Sequence, residues 1–377
     1  MSSRVLASCG GVAFLAAATL AAQSPTPAPS VAAQAATAAV RKGLTEVPGI
    51  KVGHHTLTER PTGCTVILVE GEGAVGGVAQ RGGAPGTRET DLLDPVNMVD
   101  KVNAVVLAGG SAYGLEAATG TMRWLEEQNI GWDVRVGKVP IVPAAILFDL
   151  PFGNAPKVRP TADCGYKAAA AATDGPVAEG NVGAGAGATV GKMGGGGPNV
   201  DPAQRRRPMK AGIGSAAITL PNGLSVGAIV AVNAVGDIVN PWTGEVVAGV
   251  LNPDGTLADA RKLLRGGQPL PAPRGRVQQA RAQRGGVVAR NARLTKAQVT
   301  RVALMADDGF ARAINPAHTL GDGDTVFALA TGKWDGEPNV TVIGALAAEV
   351  MAEAIVRAAT EAASLAGVTA ARDLPKQ

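Results

Sequence analysis

The hydrophobic positions of the 377-residue chain fall into short runs that are separated by glycine-rich breaks. The apolar runs at 63–71 and 103–110 are rich in β-branched residues and are bounded by glycine or polar residues, which predicts buried strands. The run at 224–239 predicts a strand, a turn and a second strand, and the run at 324–332 predicts a strand that ends in a turn. Strands therefore account for much of the predicted core.

Helical periodicity is strongest in two segments. Directly after the 103–110 strand, four apolar residues recur at the spacing of one helix face: Leu115, Ala118, Met122 and Leu125. Ser111 is the predicted N-cap of that helix, and residues 340–364 contain a second, long and Ala-rich helix. Because strands and helices mix without a regular βαβ repeat, the pattern favours a layered α/β or α+β sandwich over a barrel.

The ends of the chain and one internal segment differ in composition from this body. Residues 1–22 combine an early arginine with an apolar, Ala-rich run, as a secretory signal peptide does, and residues 23–42 form a Pro/Ala-rich linker that is predicted to be disordered. One domain is expected at 43–366, with an exposed basic loop at 266–286 and a tail at 367–377. We therefore expect an exported protein, periplasmic or extracellular, with no stable membrane insertion after processing.

The charge of the chain points to no particular macromolecular partner. Its formal net charge is +4, and basic residues cluster at 205–207 and 261–296. Nucleic-acid binding is not expected, because no aromatic residues are interleaved with these clusters for base stacking. The G-x-G-x-x-G pattern at 71–76 follows a strand but precedes a turn-rich stretch, whereas a dinucleotide site needs a helix there.

The cysteines allow but do not require a disulfide, and the histidines do not indicate a metal site. Cys64 and Cys164 would remain after export, either as one disulfide or as two buried thiols. The only histidines are His54, His55 and His318, and none has the spacing of a metal ligand relative to cysteines or carboxylates. Neither a required metal nor another cofactor is expected, and His318 is interpreted as structural.

The segment 109–114 offers one serine in the setting of a hydrolase nucleophile. Ser111 lies two residues after Gly109 on a strand-to-helix turn, but Gly114 follows it by three residues instead of the two of a nucleophile elbow. A helix cap is the preferred interpretation. A serine hydrolase that uses Ser111, with His318 as its base, remains an alternative.

Five longer motifs carry a resemblance to a known family. They lie at 81–95 (RGGAPGTRETDLLDP), 107–120 (LAGGSAYGLEAATG), 139–154 (VPIVPAAILFDLPFGN), 159–169 (RPTADCGYKAA) and 291–332. With them the chain resembles the L-aminopeptidase/D-esterase family, which includes self-processing β-peptidyl aminopeptidases and nylon-oligomer hydrolases. The resemblance implies a four-layer αββα sandwich like that of N-terminal-nucleophile hydrolases, a small peptide or amide as substrate, and a homo-oligomer.

The family chemistry begins with self-cleavage before a Ser or Thr, whose new α-amine can act as its base near neutral pH. By resemblance, Asn233 would help to hold the oxyanion as an amide donor. Lys192 would lie near the nucleophile, and Asp322 and Asp324 would orient it. Phe148 stands where the family has a tyrosine, so a hydroxyl donor is missing there.

The nucleophile itself is the point at which the chain departs from the family. Ungapped alignment back from Asn291 places the cleavage pair on Ala282 and Gln283, and Gln283, Arg284 and Gly285 carry neither a hydroxyl nor a thiol. One hypothesis is an exported peptidase or amidohydrolase that releases N-terminal residues or cleaves small amides through an acyl-enzyme. The other is a catalytically inactive relative that acts as a binding or assembly protein.

Overall fold

The computed structural model describes residues 42–194, 201, 203, 205–267 and 283–375. The predicted signal peptide at 1–22, almost all of the predicted linker and residues 268–282 of the predicted basic loop lie outside the described residues. Among the described residues, no helix is long and apolar enough to cross a membrane.

The described chain consists of many short strands and five α-helices. The strands are β1 (Ile50–Thr56), β2 (Gly63–Val69), β3 (Ala74–Gln80), β4 (Thr87–Arg88), β5 (Lys101–Val102), β6 (Ala104–Ala108), β7 (Trp132–Asp133), β8 (Lys138–Val139), β9 (Ala144–Ile146), β10 (Thr189–Val190), β11 (Met209–Lys210), β12 (Ile213–Thr219), β13 (Ser225–Asn233), β14 (Asp237–Val239), β15 (Val246–Ala248), β16 (Gln283–Ala292), β17 (Ile314–Asn315) and β18 (Thr325–Trp334). The helices are α1 (Glu116–Glu127), α2 (Ala162–Ala170), α3 (Ala260–Arg265), α4 (Lys296–Ala313) and α5 (Val340–Thr360).

Two mixed sheets form the centre of the molecule. One has the strand order β1-β2-β6-β9-β4, and the other has the order β12-β13-β16-β18-β3-β5. In the second sheet, β16 pairs antiparallel with β13 and parallel with β18. Helices α1 and α2 pack on the first sheet, whereas α4 and α5 pack on the second. The predicted four-layer αββα sandwich is confirmed.

The side-chain alternation of the strands explains this layering. In β2, Ile67 belongs to the core between the two sheets and Val66 to the core beneath α1 and α2. In β16, Val287 faces the core between the sheets, and Val288 belongs to the core under α4 and α5. Because successive side chains of a strand point to opposite faces, a strand covered on both sides is apolar throughout. This is why the strands read as continuous apolar runs.

Several sequence-based expectations for local structure are confirmed. Strands form within 63–71, 103–110, 224–239 and 324–332, and the long helix predicted within 340–364 is α5.

The predicted helix cap at Ser111 is wrong. Ser111 instead opens a short 3₁₀ turn after Gly110 and has a φ of 57°, and its side chain caps no helix; the α-helix begins at Glu116. The cause is local, because Gly110, with φ at 85°, and Ser111 place two successive residues in the left-handed region. Helical geometry cannot start until the chain has left this turn.

The predicted exposed loop at 266–286 is also wrong at its C-terminal end. Residues 283–286 are the first part of β16, and all four are buried. The tail expected at 367–377 joins the folded body, since Ala370 is fully buried and the Thr369 carbonyl accepts a hydrogen bond from the Lys210 amide at 2.8 Å.

Cys64 of β2 and Cys164 of α2 form a disulfide, which decides between the two states left open above. The bond ties the outer helix layer to the first sheet across a sequence separation of 100 residues. A cross-link that closes a loop of about 100 residues is expected to stabilise the fold by up to about 4.7 kcal/mol, mainly by restricting the unfolded chain.

We expect reduction to lower the urea midpoint of the protein, because it releases this restriction. A Cys64→Ala/Cys164→Ala variant should start at the lower midpoint and should not respond to reductant. Equal midpoints for the oxidised and reduced wild-type protein would contradict a stabilising disulfide.

Candidate active site

The pairing of β16 brings the sequence-predicted site residues to one end of the second sheet. Gln283, the first residue of β16, lies opposite Asn233, the last residue of β13. Two residues further, Gly285 lies beside Thr325, the first residue of β18. The segment Asp322–Asp324 directly precedes β18, so its carboxylates reach the same end of the sheet. Residues distant in sequence thus meet around the start of β16.

Asn233 and Lys192 are in direct contact. The Lys192 Nζ donates a hydrogen bond to Asn233 Oδ1, which also accepts one from the Thr189 backbone amide at 3.2 Å. Asn233 Nδ2 donates to the Phe148 carbonyl at 2.9 Å. The amide of Asn233 is therefore held by partners on both sides. Phe148 lacks a hydroxyl, but its backbone takes part in the site.

The Lys192 ammonium has an unusual electrostatic environment. Burial of the ammonium lowers its pKa to about 7; Asp322 and Asp149 oppose this effect, and Arg284 adds to it. Near neutral pH, Lys192 therefore exchanges between an ammonium that only donates and an amine that can accept a proton. A proton acceptor and an amide donor are adjacent in this site.

Asp322 and Asp324 are engaged by Arg284. Arg284 Nη2 lies 2.7 Å from Asp322 Oδ2 and Nε lies 2.7 Å from Asp324 Oδ1, and all three side chains are fully buried. These contacts are ion pairs by distance, although their angles are poor for hydrogen bonds. The two carboxylates that the family resemblance assigned to the nucleophile are thus both paired with one guanidinium.

Gln283 occupies the position expected for the nucleophile. Its side chain is buried, and its Nε2 donates a hydrogen bond to the Ala84 carbonyl at 3.0 Å. Gly323 packs so closely here that an added Cβ would lie 2.7 Å from Gln283 Cγ. Gln283 is a packed structural side chain, and its amide cannot replace a hydroxyl nucleophile.

Asp149, which follows Phe148 in the chain, is the centre of a buried hydrogen-bond cluster. Asp149 accepts hydrogen bonds from Arg60 Nη2 at 2.9 Å, from the Thr62 hydroxyl at 2.6 Å and from the Gly110 amide at 2.8 Å. Arg60 also donates to the Asp149 carbonyl at 2.6 Å. The turn that carries Phe148 is thereby fixed, and with it the orientation of Asn233.

The structure does not join Ser111 to a base. The Ser111 backbone amide donates to the Leu147 carbonyl at 2.9 Å. His318, the base considered for it, contacts Asp324 and Asp307 instead, with its Nδ1 2.9 Å from Asp324 Oδ2. The left-handed φ of Ser111 fits a nucleophile elbow, but the described residues contain no Ser111–His318 pair.

Sequence reasoning missed Arg284, Asp307 and His318 as members of this site. Of the two charged partners of the aspartates, Arg284 lies in a segment whose composition indicated an exposed loop, and His318 was interpreted as structural. The available signal was Arg284, a charged residue beside a strand-like run, together with the closely spaced Asp322 and Asp324. Among the described residues, no group of three or more His, Cys, Asp or Glu side chains could hold a metal ion.

A family model matches nearly all of the folded region. The model of peptidase family S58 covers residues 42–198 and 204–373. The chain belongs to peptidase family S58. This agrees with the five sequence motifs, which carried a resemblance to aminopeptidases and nylon-oligomer hydrolases.

Two S58 relatives illustrate the range of names in the family. An uncharacterized aminopeptidase of Mycobacterium tuberculosis (strain ATCC 25618 / H37Rv) is 42% identical over 353 residues, which cover 88% of this chain and 97% of the relative. A 6-aminohexanoate-oligomer endohydrolase of Kocuria sp. (strain KY2) is 30% identical over 330 residues, covering 83% of this chain and 85% of the relative.

Solved structures confirm the fold of this S58 member. A Burkholderia sp. beta-aminopeptidase superposes with a TM-score of 0.61 at 22% identity, covering 87% of this chain and 89% of that one. An L-aminopeptidase D-Ala-esterase/amidase from Ochrobactrum anthropi, described as a variant of the Ntn hydrolase fold, gives a TM-score of 0.58 at 19% identity, covering 85% and 86%. Both share the layered architecture described above.

Proposed function

We propose that this protein is an exported member of peptidase family S58 that binds small peptides or amides at Lys192 and Asn233 but does not self-process or form an acyl-enzyme. One observation carries the proposal. Gln283 and Arg284 fill the start of β16, and Arg284 forms ion pairs with Asp322 and Asp324 at 2.7 Å each. The two carboxylates that would orient a hydroxyl nucleophile are therefore already engaged by Arg284.

The chemistry of an acyl-enzyme supports this reading. Self-cleavage needs a hydroxyl or thiol that attacks the preceding carbonyl, and the Gln283 amide supplies neither. Lys192 cannot substitute as nucleophile with turnover, because an acyl group on its amine would be a stable amide. Loss of a covalent nucleophile typically costs about a millionfold in turnover, with about a thousandfold over water left from binding and oxyanion contacts.

The remaining side chains are suited to an amide ligand. An amide nitrogen carries two N–H donors, and the Phe148 carbonyl takes one of those of Asn233. The other could donate to a ligand carbonyl, while Lys192 adds a cation or an acceptor depending on pH. S58 relatives are named for aminopeptidase and oligomer endohydrolase activity, which supports a peptide or amide as the ligand.

Slow amide hydrolysis is the second candidate function, and the position of Lys192 favours it. A lysine whose pKa is lowered to about 7 can act as a general base toward water. It stands beside an amide donor that could face the developing oxyanion. This route has no acyl-enzyme, so it differs from the hydrolysis that the family resemblance implies.

Export and self-association are part of the proposal. The Cys64–Cys164 disulfide supports export, because disulfides persist in oxidising compartments and are rare in the cytosol. The signal-like composition of residues 1–22 supports it as well. A homo-oligomer is proposed on the family resemblance, and light scattering of the purified protein would test it.

We expect calorimetry to detect binding of small amides, tested with amino-acid p-nitroanilides, β-dipeptides and a 6-aminohexanoate dimer. Lys192→Met should weaken binding at least about tenfold, which corresponds to the loss of one charge-assisted hydrogen bond of about 1.4 kcal/mol or more. Lys296→Met is the matched control, since Lys296 is a second buried lysine, whose Nζ donates to the Leu92 and Asn97 carbonyls at the start of α4.

The same samples separate the candidate functions. Binding without product and without an acyl adduct by intact mass supports the first candidate. Product formation that Lys192→Met abolishes, again without an adduct, supports slow hydrolysis by water. An adduct on any residue of the wild-type protein would overturn both.

A further inference from the structure

We infer that His318 is a proton-dependent lock at the start of β16. In its protonated form it completes the charge balance of three buried carboxylates and holds the segment 318–324 against the site, and its deprotonation loosens that segment. The inference concerns the packing of the site and does not depend on the ligand proposed above.

The position of His318 places it between two buried carboxylates. Its Nδ1 lies 2.9 Å from Asp324 Oδ2, and its Nε2 lies 3.5 Å from Asp307 Oδ2. The His318 backbone amide donates to the same Asp324 oxygen at 3.0 Å. The residue has a φ of 55°, in the left-handed region, so the backbone as well as the ring is held in a specific arrangement.

Around the His318 ring, the buried negative charges outnumber the positive charges of the arginines by one. Asp307, Asp322 and Asp324 are fully buried carboxylates, and the arginines that contact them are Arg284 and Arg81. Three negative charges face two positive ones, and a protonated imidazole restores neutrality. A buried charge without compensation is costly, so the folded state favours the protonated ring.

Two further groups face the cluster from neighbouring elements. Asp308 of α4 is exposed and pairs with Arg81 Nη1 at 3.1 Å, so solvent screens much of its charge. Lys192, on the other side, contributes a partial positive charge near Asp322. Neither one removes the need for a cation between Asp307 and Asp324, since neither lies between them.

The ionisation of these groups agrees with the geometry. The contact with Asp324 raises the pKa of His318 above its usual value; burial opposes this, and the charges of Asp307 and Asp324 add to it. Burial raises the pKa of Asp307 to about 6. A raised pKa in the folded state means that stability is present at low pH and is lost as pH rises through that pKa.

The lock reaches the site through a chain of hydrogen bonds. Within the segment, the Thr319 amide and hydroxyl both donate to Asp322, at 3.0 and 2.9 Å. The Ala84 amide donates to the Asp322 carbonyl at 2.8 Å, and Gln283 Nε2 donates to the Ala84 carbonyl at 3.0 Å. Loosening 318–324 therefore frees the side chain that fills the nucleophile position.

The test is a histidine NMR titration of the full protein, combined with hydrogen exchange. We expect His318 to titrate above the ordinary pKa of histidine, about 6.5. Protection factors of residues 319–324 should fall several-fold as His318 loses its proton, while those of β1 should not change in that range. A His318 midpoint at or below about 6.5, the ordinary value for histidine, would overturn the inference.

His318→Gln provides the matched variant, with His55→Gln as control. We expect the thermal midpoint of the wild-type and of His55→Gln to fall as the pH rises above about 6.5, the ordinary pKa of histidine, because the folded state holds the His318 proton more tightly than the unfolded chain. His318→Gln should lose most of that fall. An unchanged slope in His318→Gln would overturn the lock, and if this variant does not fold, the wild-type titration decides.

Discussion

Arg284→Met and Arg290→Met should change the stability of the fold in opposite directions, although both arginines are fully buried on β16. Their even-numbered positions put both side chains on the face of the strand that is covered by α4 and α5. The two sites differ in their partners, because Arg284 contacts Asp322 and Asp324. None of the three guanidinium nitrogens of Arg290 has a hydrogen-bond partner in the described part of the chain.

The expected signs follow from this difference. Arg284→Met removes the buried guanidinium that contacts both Asp322 and Asp324, which should lower the free energy of unfolding by about 3–5 kcal/mol. At Arg290, burial alone lowers the pKa to about 9, so the folded state bears an uncompensated charge. Arg290→Met keeps much of the side-chain volume and removes that charge, and should raise the free energy of unfolding by about 1–4 kcal/mol.

Urea unfolding at neutral pH measures both effects on one scale. The variants should lie on opposite sides of the wild-type midpoint with equal m-values, since the exposed surface is nearly unchanged. Loss of stability in both variants would contradict the account, because it would mean that the Arg290 guanidinium is compensated in solution.

The second large effect is expected from restoring a nucleophile. Ala282→Asn/Gln283→Thr/Arg284→Thr should convert the chain into two fragments, one of which begins at the introduced threonine. The Arg284 substitution is essential, because the guanidinium otherwise keeps both Asp322 and Asp324 in ion pairs. After cleavage, the new α-ammonium could take over as their cation. A working covalent nucleophile carries up to about a millionfold in turnover.

Two details of the structure fix the design of this experiment. Gly285 stays unchanged, since a Cβ there would lie 2.7 Å from Leu107 Cδ2. Gln283→Thr with Arg284 retained is the control and should remain one chain. Electrophoresis and N-terminal sequencing measure the outcome, and circular dichroism confirms folding. A folded triple variant that stays whole would show that Lys192 and Asn233 do not support self-cleavage here.

Local pattern was sufficient to predict the long core strands β2, β6, β13 and β18 and the long helix α5. The runs at 63–71 and 224–239 are apolar because both faces of the strands are covered, so burial is visible in the sequence itself. Which strand pairs with which is a long-range property, and the four-layer arrangement came from the family resemblance. Periodicity alone favoured only a layered sandwich.

The start of β16 was mispredicted for a physical reason. The stretch around Gln283–Gly286 is basic and glycine-rich, a composition that is typical of exposed loops. Its burial depends on Asp322 and Asp324, which lie about forty positions away in sequence and compensate the charge of Arg284. A buried ion pair of this kind has no local signature, because each partner alone resembles a surface residue.

The candidate site was predictable as a set of residues but not as a set of contacts. The resemblance placed Lys192 near the nucleophile and Asn233 at the oxyanion, and the structure brings the two side chains into hydrogen-bond contact. The resemblance did not reveal that the Asn233 amide donates to the Phe148 carbonyl. That contact depends on the turn held by Asp149, which no motif indicates.

The central claim is that this S58 member remains one polypeptide because the start of β16 has no nucleophile. Intact mass spectrometry of the protein purified from its native host, after reduction of the disulfide, tests this directly. We expect a single chain that has lost its first residues and is continuous through Gln283. Two chains divided within or next to β16 would contradict the claim and would show that a nucleophile operates in this segment.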